Sequence, residues 1–379
     1  MSRGGLPAAW TFMGNVDMNE HQGAASGLNA NLEKQRPALT RLFDYYLATA
    51  AAAMDALFPA DPHRRPAIPA PTLTMPAPPV AEPAVARTWL DAERATLVAV
   101  SGQTATQGWP RHAIRLATIL YRYLDAGRHF TAAAAIHAYA RLAAQQLRDR
   151  PAEARALMNL AAVAWRQGHY AEAVDYDEQA LPLLRETGDQ VGESRALVHL
   201  GRVCQRLHRY QLASAYNQRA VDLAREIGDK KREARALTNI GTTYKEIGDQ
   251  QEYYDQAVYH LEQALVLSRA IGDHRGEART LNRVGEALLA TGEVSEARDK
   301  HTAALRLARQ LGDQNEQARA HDGLARTHDT AGDLSQTRTH LRHALALYKE
   351  LADPDPDPGV VVDIRDRLTA LGQTGTGRG

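Results

Sequence analysis

The 379-residue sequence contains one cysteine, Cys204, and therefore cannot form an internal disulfide. A single thiol fits a reducing compartment, and the N-terminus lacks the charged and apolar segments of a secretory signal. Long apolar runs are also missing, because the most apolar segment spans only residues 47–54, whereas a membrane helix needs about 20 residues. These absences predict a cytoplasmic protein without a membrane segment.

An excess of charge of either sign is missing as well. Lys and Arg number 45, Asp and Glu number 45, and the formal net charge is zero. Proteins that bind nucleic acids normally carry a basic excess, so we expect no direct nucleic-acid binding by this chain. Apolar residues make up 44% and charged residues 24% of the sequence, which is typical of a folded globular protein.

Motifs for catalysis and for metal or cofactor binding are not found. The sequence has six lysines and none follows a glycine, which excludes the phosphate loop G-x-x-x-x-G-K-[ST]. It has no HExxH motif and no cysteine pair for a metal. His321 and His328, like His340 and His343, have helical spacing but no carboxylate at ligand spacing, so we interpret them as surface or groove histidines. We expect no enzyme activity, no cofactor and no metal.

A regular period of about 40 residues is the strongest pattern in the sequence. Gly-Asp pairs occur at 188–189, 228–229, 272–273 and 312–313, and the middle interval is longer than the other two. Each period contains two helical patterns, helix A and helix B. Glycine permits a left-handed C-cap at the end of helix B, and the aspartate can accept from N–H groups that open the next helix. The period predicts a stacked array of helix pairs.

Small residues recur at fixed positions of these helices and allow close helix packing. In helix A they are Ala161, Gly201, Gly241, Gly285 and Ala325. In helix B they are Ala133, Ala173, Ala213, Ala257, Ala297 and, as an exception, Thr337, then Ala140, Ala180, Ala220, Ala264, Ala304 and Ala344. This spacing resembles the tetratricopeptide repeat, in the longer variant found in kinesin light chain. The resemblance implies an all-α, right-handed α-solenoid of about six repeats of 40 residues, with Cys204 as a buried thiol.

Composition divides the chain into segments, since residues 59–83 hold nine of the 17 prolines and proline disfavours helix. We expect a disordered N-terminus (1–34), a helical segment (35–58), a Pro-rich linker (59–84), a repeat superhelix (85–371) and a disordered tail (372–379). The expected repeats are 110–149, 150–189, 190–229, 230–273, 274–313 and 314–353, followed by a capping helix at 359–371. The first repeat is degenerate, because Tyr121 stands where a small residue is expected.

A second resemblance begins before the repeats. Residues 36–50, the Pro-rich linker and the Trp-Leu-Asp-Ala-Glu-Arg stretch at 89–94 are similar to one segment of the actinobacterial STAND regulators. That family consists of transcriptional regulators with a DNA-binding domain, an NTPase domain and a C-terminal tetratricopeptide sensor. The resemblance implies that this chain corresponds to the sensor region, without the NTPase and DNA-binding domains.

An arginine column is the best candidate for a binding surface. The sixth residue after each repeat-boundary aspartate is Arg155, Arg195, Arg235, Arg279 or Arg319. By the tetratricopeptide resemblance, this position lines the concave groove. The planar fork of arginine suits carboxylate and phosphate groups. One interpretation is therefore a groove for an acidic peptide or protein segment, and the other is a structural ladder from each arginine to an acid in a neighbouring repeat.

A second column lies one helical turn further on. It contains Asn159, His199, Asn239, Arg283 and Gly323. By the same resemblance, asparagine here binds the main chain of an extended peptide, since an amide both donates and accepts. Arg202 adds positive charge nearby. The Lys and Asn residues of a two-carboxylate clamp are missing, as Met158 and Ala162 illustrate, so we do not expect binding of chaperone tails.

The longer repeat, 230–273, contains a four-residue insertion around residues 251–255, which adds about one helical turn. We expect Tyr253, Tyr254 and Tyr259 to gather there, as a contact site or as extra packing.

The sequence thus predicts a protein- or peptide-binding module, with an acidic peptide or protein as one candidate partner. It corresponds to the sensor part of a STAND-type regulator or, alternatively, to a free-standing adaptor without a regulatory role. The sequence leaves the oligomeric state open.

Overall fold

The computed structural model describes residues 18–60, 68, 78–248, 250–351 and 358–374, with the backbone alone for 18–34, 358 and 372–374. These residues form fifteen helices and no strand, which confirms the all-α class. The helices are α1 (Met18–Leu57), α2 (Pro83–Thr106), α3 (Pro110–Ala126), α4 (Phe130–Leu147), α5 (Arg150–Arg166), α6 (Tyr170–Glu186), α7 (Gln190–Arg206), α8 (Tyr210–Glu226), α9 (Lys230–Ile247), α10 (Gln251–Ala270), α11 (His274–Ala290), α12 (Val294–Gln310), α13 (Gln314–Thr330), α14 (Leu334–Glu350) and α15 (Pro358–Thr374). The chain divides between Tyr123 and Leu124 into two compact units.

Helix ends in the second unit follow the Gly-Asp pairs. Gly188, after α6, has a φ of 67°, a left-handed conformation that glycine adopts without a steric penalty. Asp189 then caps α7, because its Oδ1 accepts from the backbone N–H of Gly192 at 2.8 Å. Asp149 and Asp229 cap α5 and α9 in the same way. Each such cap contributes about 1 kcal/mol to helix stability.

The small residues are the contact points between helices, as expected. Gly201 on α7 lies against Asn217 on α8, so closely that a Cβ would stand 2.2 Å from Nδ2. A Cβ on Gly285 would stand 2.6 Å from Nε2 of His301. The second helix B column is buried throughout. Because large residues cannot occupy these positions, the small-residue period fixes how each pair of helices packs.

The A helices of the second unit are α5, α7, α9, α11 and α13. Helix A of one repeat packs against helix A of the next in the pairs α7–α9, α9–α11 and α11–α13. Within the described residues, no two successive B helices pack together to this extent. The A helices therefore lie on the narrower, concave side of the stack, as the tetratricopeptide resemblance implied.

The first unit contains α1, α2 and most of α3. The Phe43 and Trp109 rings pack edge to face with centroids 5.1 Å apart, and Trp109 Nε1 donates to Thr40 Oγ1 at 2.9 Å. In the 89–94 stretch, Asp91 accepts from the Tyr123 hydroxyl at 2.7 Å. Burial first, and then this hydrogen bond, raises the pKa of Tyr123 to about 12. The stretch therefore fastens α2 to α3.

Several segment bounds differ from the sequence expectations. Helix α1 begins at Met18, within the N-terminus expected to be disordered, because residues 18–36 contain no proline and several strong helix formers. Helix α2 and nearly all of α3 belong to the first unit, although the superhelix was expected from residue 85. Helix α15 covers the expected cap and extends it to Thr374. Residues 1–17, most of the Pro-rich linker and residues 375–379 lie outside the described residues.

The insertion lengthens α10 to 20 residues. Tyr253 stacks on Tyr244 of α9 at 6.3 Å, and the Tyr254 hydroxyl donates to the Gly248 carbonyl at 3.2 Å. Tyr259 is 58% exposed and lies apart from these two contacts. Two of the three tyrosines thus add packing to the repeat. Among the described helices, none is long and apolar enough for a membrane span.

Candidate partner-binding surface

One continuous stripe of residues runs along the A helices of the second unit, which we call the A-helix stripe. Its members are spaced by four, three and four residues, which keeps them on one helix face. They are Arg155, Asn159, Ala162 and Arg166 on α5; Arg195, His199, Arg202 and Arg206 on α7; Arg235, Asn239, Thr242 and Glu246 on α9; Arg279, Arg283, Glu286 and Ala290 on α11; and Arg319, Gly323, Arg326 and Thr330 on α13. All ten residues proposed from the sequence for partner binding belong to it.

Charge is distributed unevenly along the stripe. On α5 and α7 it carries five arginines and no acidic residue. Arg155 and Arg195 are exposed there, and the Arg195 guanidinium contacts the Met158 sulfur at 3.5 Å. Arg166, at the end of α5, lies 3.7 Å from Asp125. At this end, the charged side chains of the stripe itself are therefore all basic.

The α11 end of the stripe is neutralised by its own acids. Glu286 accepts from Lys245 and Arg283 at 3.0 Å each and from Arg319 at 3.4 Å. Burial would raise the pKa of Glu286, but the charges of Arg283, Lys245 and Arg319 hold it well below its usual range. Glu286 is therefore an anion that three cations from α9, α11 and α13 share.

The remaining arginines of α11 and α13 are also paired. Arg279 lies 3.5 Å from Glu316 on α13. Arg326 lies 2.7 Å from Asp363 on α15 and 3.1 Å from Asp322. Arg279 and Arg319, the members of the arginine column on α11 and α13, thus each contact an acid of the adjacent repeat, as a structural ladder requires. The same sequence register therefore has acidic partners on α11 and α13, whereas α5 and α7 contribute five arginines and no acidic residue to the stripe.

Trp165 anchors the cationic end. Its indole packs beneath Arg202, whose Cζ lies 4.2 Å from the ring centroid, and Arg206 lies 6.0 Å away. Tyr170 contacts the same indole with centroids 5.1 Å apart. Cation–π contacts of this kind contribute about 0.5–2 kcal/mol. The contact with Trp165 therefore holds the Arg202 guanidinium in a defined position.

His199 and Asn239 have partners within the protein that the sequence analysis did not foresee. His199 Nδ1 contacts Asp177 Oδ2 on α6, and Asp177 is buried. Asn239 Nδ2 donates to Asn217 Oδ1 on α8 at 3.2 Å. In both pairs the helix B residue lies 22 positions earlier, so this spacing was the signal available in the sequence. Asn239 is therefore partly committed to helix packing, and His199 is oriented by a buried carboxylate.

At Gly323 on α13, the column that contains His199 and Asn239 is filled by packing within the protein. His301 on α12 precedes Gly323 by the same spacing, and a Cβ on Gly323 would stand 2.2 Å from the His301 ring. His301 Nδ1 also lies 3.1 Å from Asn282 Oδ1. Burial lowers the pKa of His301 to about 4, so the ring is neutral near pH 7. Gly323 serves this packing and offers no side chain to a partner.

Four histidines gather between α13 and α14. His321 Nδ1 lies 2.9 Å from His340 Nδ1, the His321 and His343 rings are 4.9 Å apart, and His328 stacks on His340 at 5.4 Å. The expectation of surface or groove histidines is wrong for His321, which is 4% exposed. In the described part of the chain, no group of three or more His, Cys, Asp or Glu side chains is arranged to hold a metal.

The sequence matches a family model described as Tetratricopeptide repeat over residues 192–252, 250–310 and 280–350. A second model with the same description matches residues 154–187. Together the matches cover about half of the chain, from α5 to α14. No curated protein matches the sequence.

Solved structures with the same fold are distant in sequence. BtubC (BKLC) from P. vanneervenii is 20% identical with a TM-score of 0.50, over 60% of this chain and 92% of BtubC. A Rap protein complexed with competence and sporulation factor is 13% identical with a TM-score of 0.53, over 77% and 80%. Aspartyl phosphate phosphatase F from Bacillus subtilis is 13% identical with a TM-score of 0.51, over 77% and 75%. These similarities establish the repeat fold.

Proposed function

Because the chain belongs to the tetratricopeptide-repeat proteins, we propose that it binds an acidic peptide or protein segment on the A-helix stripe. The observation that carries this proposal is the uneven charge of the stripe. α5 and α7 contribute five arginines and no acidic residue to the stripe, whereas Glu286 and its neighbours neutralise α11 and α13. Complementary charge speeds association and selects the partner.

The fold relatives are compatible with a binding role. One Rap protein of this fold was solved in complex with competence and sporulation factor. Cys204 is buried, and burial raises the pKa of its thiol to about 11, which makes a poor nucleophile because the reactive form is the thiolate.

The test compares two double variants of equal charge change. Arg195→Glu/Arg235→Glu alters the stripe, and Arg306→Glu/Arg342→Glu alters exposed positions on α12 and α14. We expect wild-type protein to bind a labelled hexaglutamate peptide, and the stripe variant to bind at least about tenfold more weakly, because charge-assisted contacts are lost. Affinity should also fall with added salt. Equal affinity of the two double variants, with helix content unchanged by circular dichroism, would rule out the stripe.

We further propose that the chain acts as the sensor region of a STAND-type regulator. The support is the sequence resemblance at residues 36–50 and 89–94, together with the repeats. The reading frame upstream of Met1 tests this. A phosphate loop and a DNA-binding domain encoded in frame would support the regulator. Their absence would favour the alternative, a free-standing adaptor that uses the same stripe to join two proteins in the cytoplasm.

A further inference from the structure

We propose that helix α10 carries a second binding site, for a peptide segment of a partner protein in which a large apolar residue adjoins a lysine or arginine. The site is a groove of about 440 Å³, which we call the α10 groove. Its lining includes Glu233 and Leu237 on α9 and Tyr259, Glu262, Gln263 and Val266 on α10. None of these residues belongs to the A-helix stripe, so the α10 groove is a different surface.

Two large apolar side chains are exposed at the α10 groove. Tyr259 is 58% exposed and Val266 is 64% exposed, the highest values for large apolar side chains among the described residues. They lie seven positions apart on α10, which places them on one helix face, about 10 Å apart along its axis. Leu237, which lines the same groove, is buried and forms its floor. Exposed apolar residues around a buried apolar floor suit an apolar side chain of a partner.

This exposed apolar pair is absent from the other B helices between α6 and α14. At the position of Tyr259, those helices have Asp175, Ala215, Asp299 and Thr339. At the position of Val266, they have Pro182, Asp222, Arg306 and Ala346. Since those helices pack in the same way with small or polar residues there, the repeat fold does not require Tyr259 and Val266.

The equivalent groove of the preceding repeat is bridged by an arginine. Arg219 on α8 lies 3.8 Å from Glu193 on α7. In the next repeat, Gln263 occupies the position of Arg219 and Glu233 that of Glu193. Within the described residues, no hydrogen bond joins Gln263 to Glu233. The shorter, uncharged Gln263 therefore leaves the α10 groove open.

Tyr259 is supported by aromatic packing that the longer repeat provides. Its ring packs edge to face against His260, with centroids 5.2 Å apart, and His260 stacks on Tyr244 of α9 at 5.7 Å. Tyr244 also stacks on Tyr253, a residue of the insertion. A ring that is already held in place loses little freedom on binding. Tyr259 is therefore suited to anchor an apolar or cationic side chain.

The charge at the α10 groove favours a basic residue beside the apolar one. Glu262 accepts from Lys300 of α12 at 2.6 Å, and Lys300 also lies 3.7 Å from Glu296. One ammonium is thus shared by two carboxylates, and these three groups keep a net negative charge. The Glu262 side chain is 39% exposed, so this charge is accessible to a partner.

Glu262 also has the right position for such a contact. It stands three residues after Tyr259 and four before Val266, which places it between them on the same face. A lysine or arginine of the partner would bring its charge to Glu262 while its aliphatic stem covers Tyr259 or Val266. The adjoining apolar residue would then contact the floor at Leu237.

The experiment begins with a random heptapeptide library displayed on phage and selected on the immobilised full chain. We expect the enriched peptides to contain a large apolar residue next to lysine or arginine. The most enriched of these peptides is synthesised with a fluorescent label, and its affinity is measured by anisotropy.

Two double variants of equal charge change are compared with this peptide. Tyr259→Ala/Val266→Asp gives α10 the residues that α8 has at these positions, and Val191→Asp/Leu212→Ala alters two exposed apolar residues on α7 and α8. We expect the first to bind at least about tenfold more weakly, because apolar burial is lost, and the second to bind like wild type.

A third variant tests the charge. Glu262→Lys should weaken binding of the peptide about tenfold or more, because an attractive contact becomes a repulsive one. The same variant should bind better than wild type to a version of the peptide in which glutamate replaces the basic residue. Should Tyr259→Ala/Val266→Asp lose helix content by circular dichroism, Glu262→Lys and Val266→Asp alone decide the matter.

Three results would overturn the α10 groove. They are a selection without apolar-basic peptides, equal weakening by the two double variants, and a peptide whose binding is lost only in Arg195→Glu/Arg235→Glu. A dimer in sedimentation velocity that Tyr259→Ala/Val266→Asp dissociates would also overturn it, since a second copy of the chain would then occupy the groove. Hexaglutamate binding tests the A-helix stripe separately, so either proposal can fail while the other stands.

Discussion

Arg225 and Glu233 lie eight positions apart, and their side chains meet at 2.7 Å across the turn that contains Gly228 and Asp229. The pair Arg185–Glu193 spans the preceding turn at 2.6 Å, and the pair Arg269–Glu277 spans the following one at 2.8 Å. Each pair fastens the end of a helix B to the start of the next helix A. The glutamate four residues after Asp189, Asp229 and Asp273 therefore holds adjacent repeats together.

Replacing Glu233 by Gln should destabilise the protein by roughly 1–2 kcal/mol, because Glu233 is buried and charge-assisted hydrogen bonds are lost, while solvent screens the half-exposed Arg225. Burial opposes ionisation, but hydrogen bonds from Arg225 and Lys230 keep the pKa of Glu233 lowered. This contribution is therefore present above the unfolded pKa of a glutamate and is lost as pH falls through the lower folded pKa. Urea unfolding of Glu233→Gln against the exposed control Glu252→Gln, near pH 7 and near pH 4, tests both points.

Replacing Gly285 by Ala should destabilise the protein by about 1–3 kcal/mol through overpacking against His301. The added methyl would stand 2.6 Å from the His301 ring, where no space is available. Thermal unfolding of Gly285→Ala, of His301→Ala and of the double variant gives the coupling between the two sites. A double variant as unstable as the sum of the single ones would show that His301 is not the obstacle.

Acid should destabilise the last repeat through its histidine cluster. Burial, then His340, His343 and Arg309, lower the pKa of His321 to about 3. Burial, then His328, His343 and Arg309, lower that of His340 to about 4. Both are below the ordinary value of 6.5, so the unfolded chain binds more protons. Stability should therefore fall as pH decreases from about 6.5 towards 4 and level off below about 3.

The measurement is hydrogen exchange in α13 and α14, corrected for the intrinsic effect of pH. His340→Gln should reduce the loss of protection on acidification, because one of the charges that would accumulate is removed. His274→Gln, at an exposed position on α11, is the control. Asp333 lies 3.8 Å from His328 of this cluster. Identical pH profiles for wild type and His340→Gln would contradict the prediction.

In the first unit, Tyr123→Phe should cost about 0.5–1.5 kcal/mol, since it removes one hydroxyl with two partners. The Tyr123 hydroxyl donates to Asp91 at 2.7 Å and accepts from Arg94 at 3.3 Å. Guanidinium unfolding measures the change, with Tyr45→Phe on α1 as the matched control. A loss no larger than that of the control would mean that the 89–94 stretch does not depend on Tyr123.

Local patterns account for what the sequence predicted well. Gly188 and Asp189 end one helix and begin the next through contacts within a few residues, so their spacing alone locates the repeats. The small-residue columns are similar, because Gly201, Gly241 and Gly285 each face the helix B of their own repeat. Handedness and pairing then follow from the repeat fold.

The partners of the stripe could not be predicted as easily. Arg195 and Arg319 occupy one sequence register, yet Arg319 pairs with Glu286, which lies on the preceding A helix. His199 was assigned to peptide binding by its column, but its ring is oriented by Asp177, whose role depends on packing between α6 and α7. Such contacts depend on which side chains two packed helices bring together. A column that contains one position from each repeat does not specify the side chains on the neighbouring helix.

The neighbour-only packing of the A helices limits how far a change in one repeat can spread. Among the described residues, α7 packs on α9 and α11 packs on α13, and no A helix packs to this extent against one two repeats away. Replacing α11 and α12 would nevertheless remove Glu286, the carboxylate that Lys245 of α9 and Arg319 of α13 share. A repeat in such an array can therefore evolve separately only if the charges that it shares with the two adjacent repeats change with it.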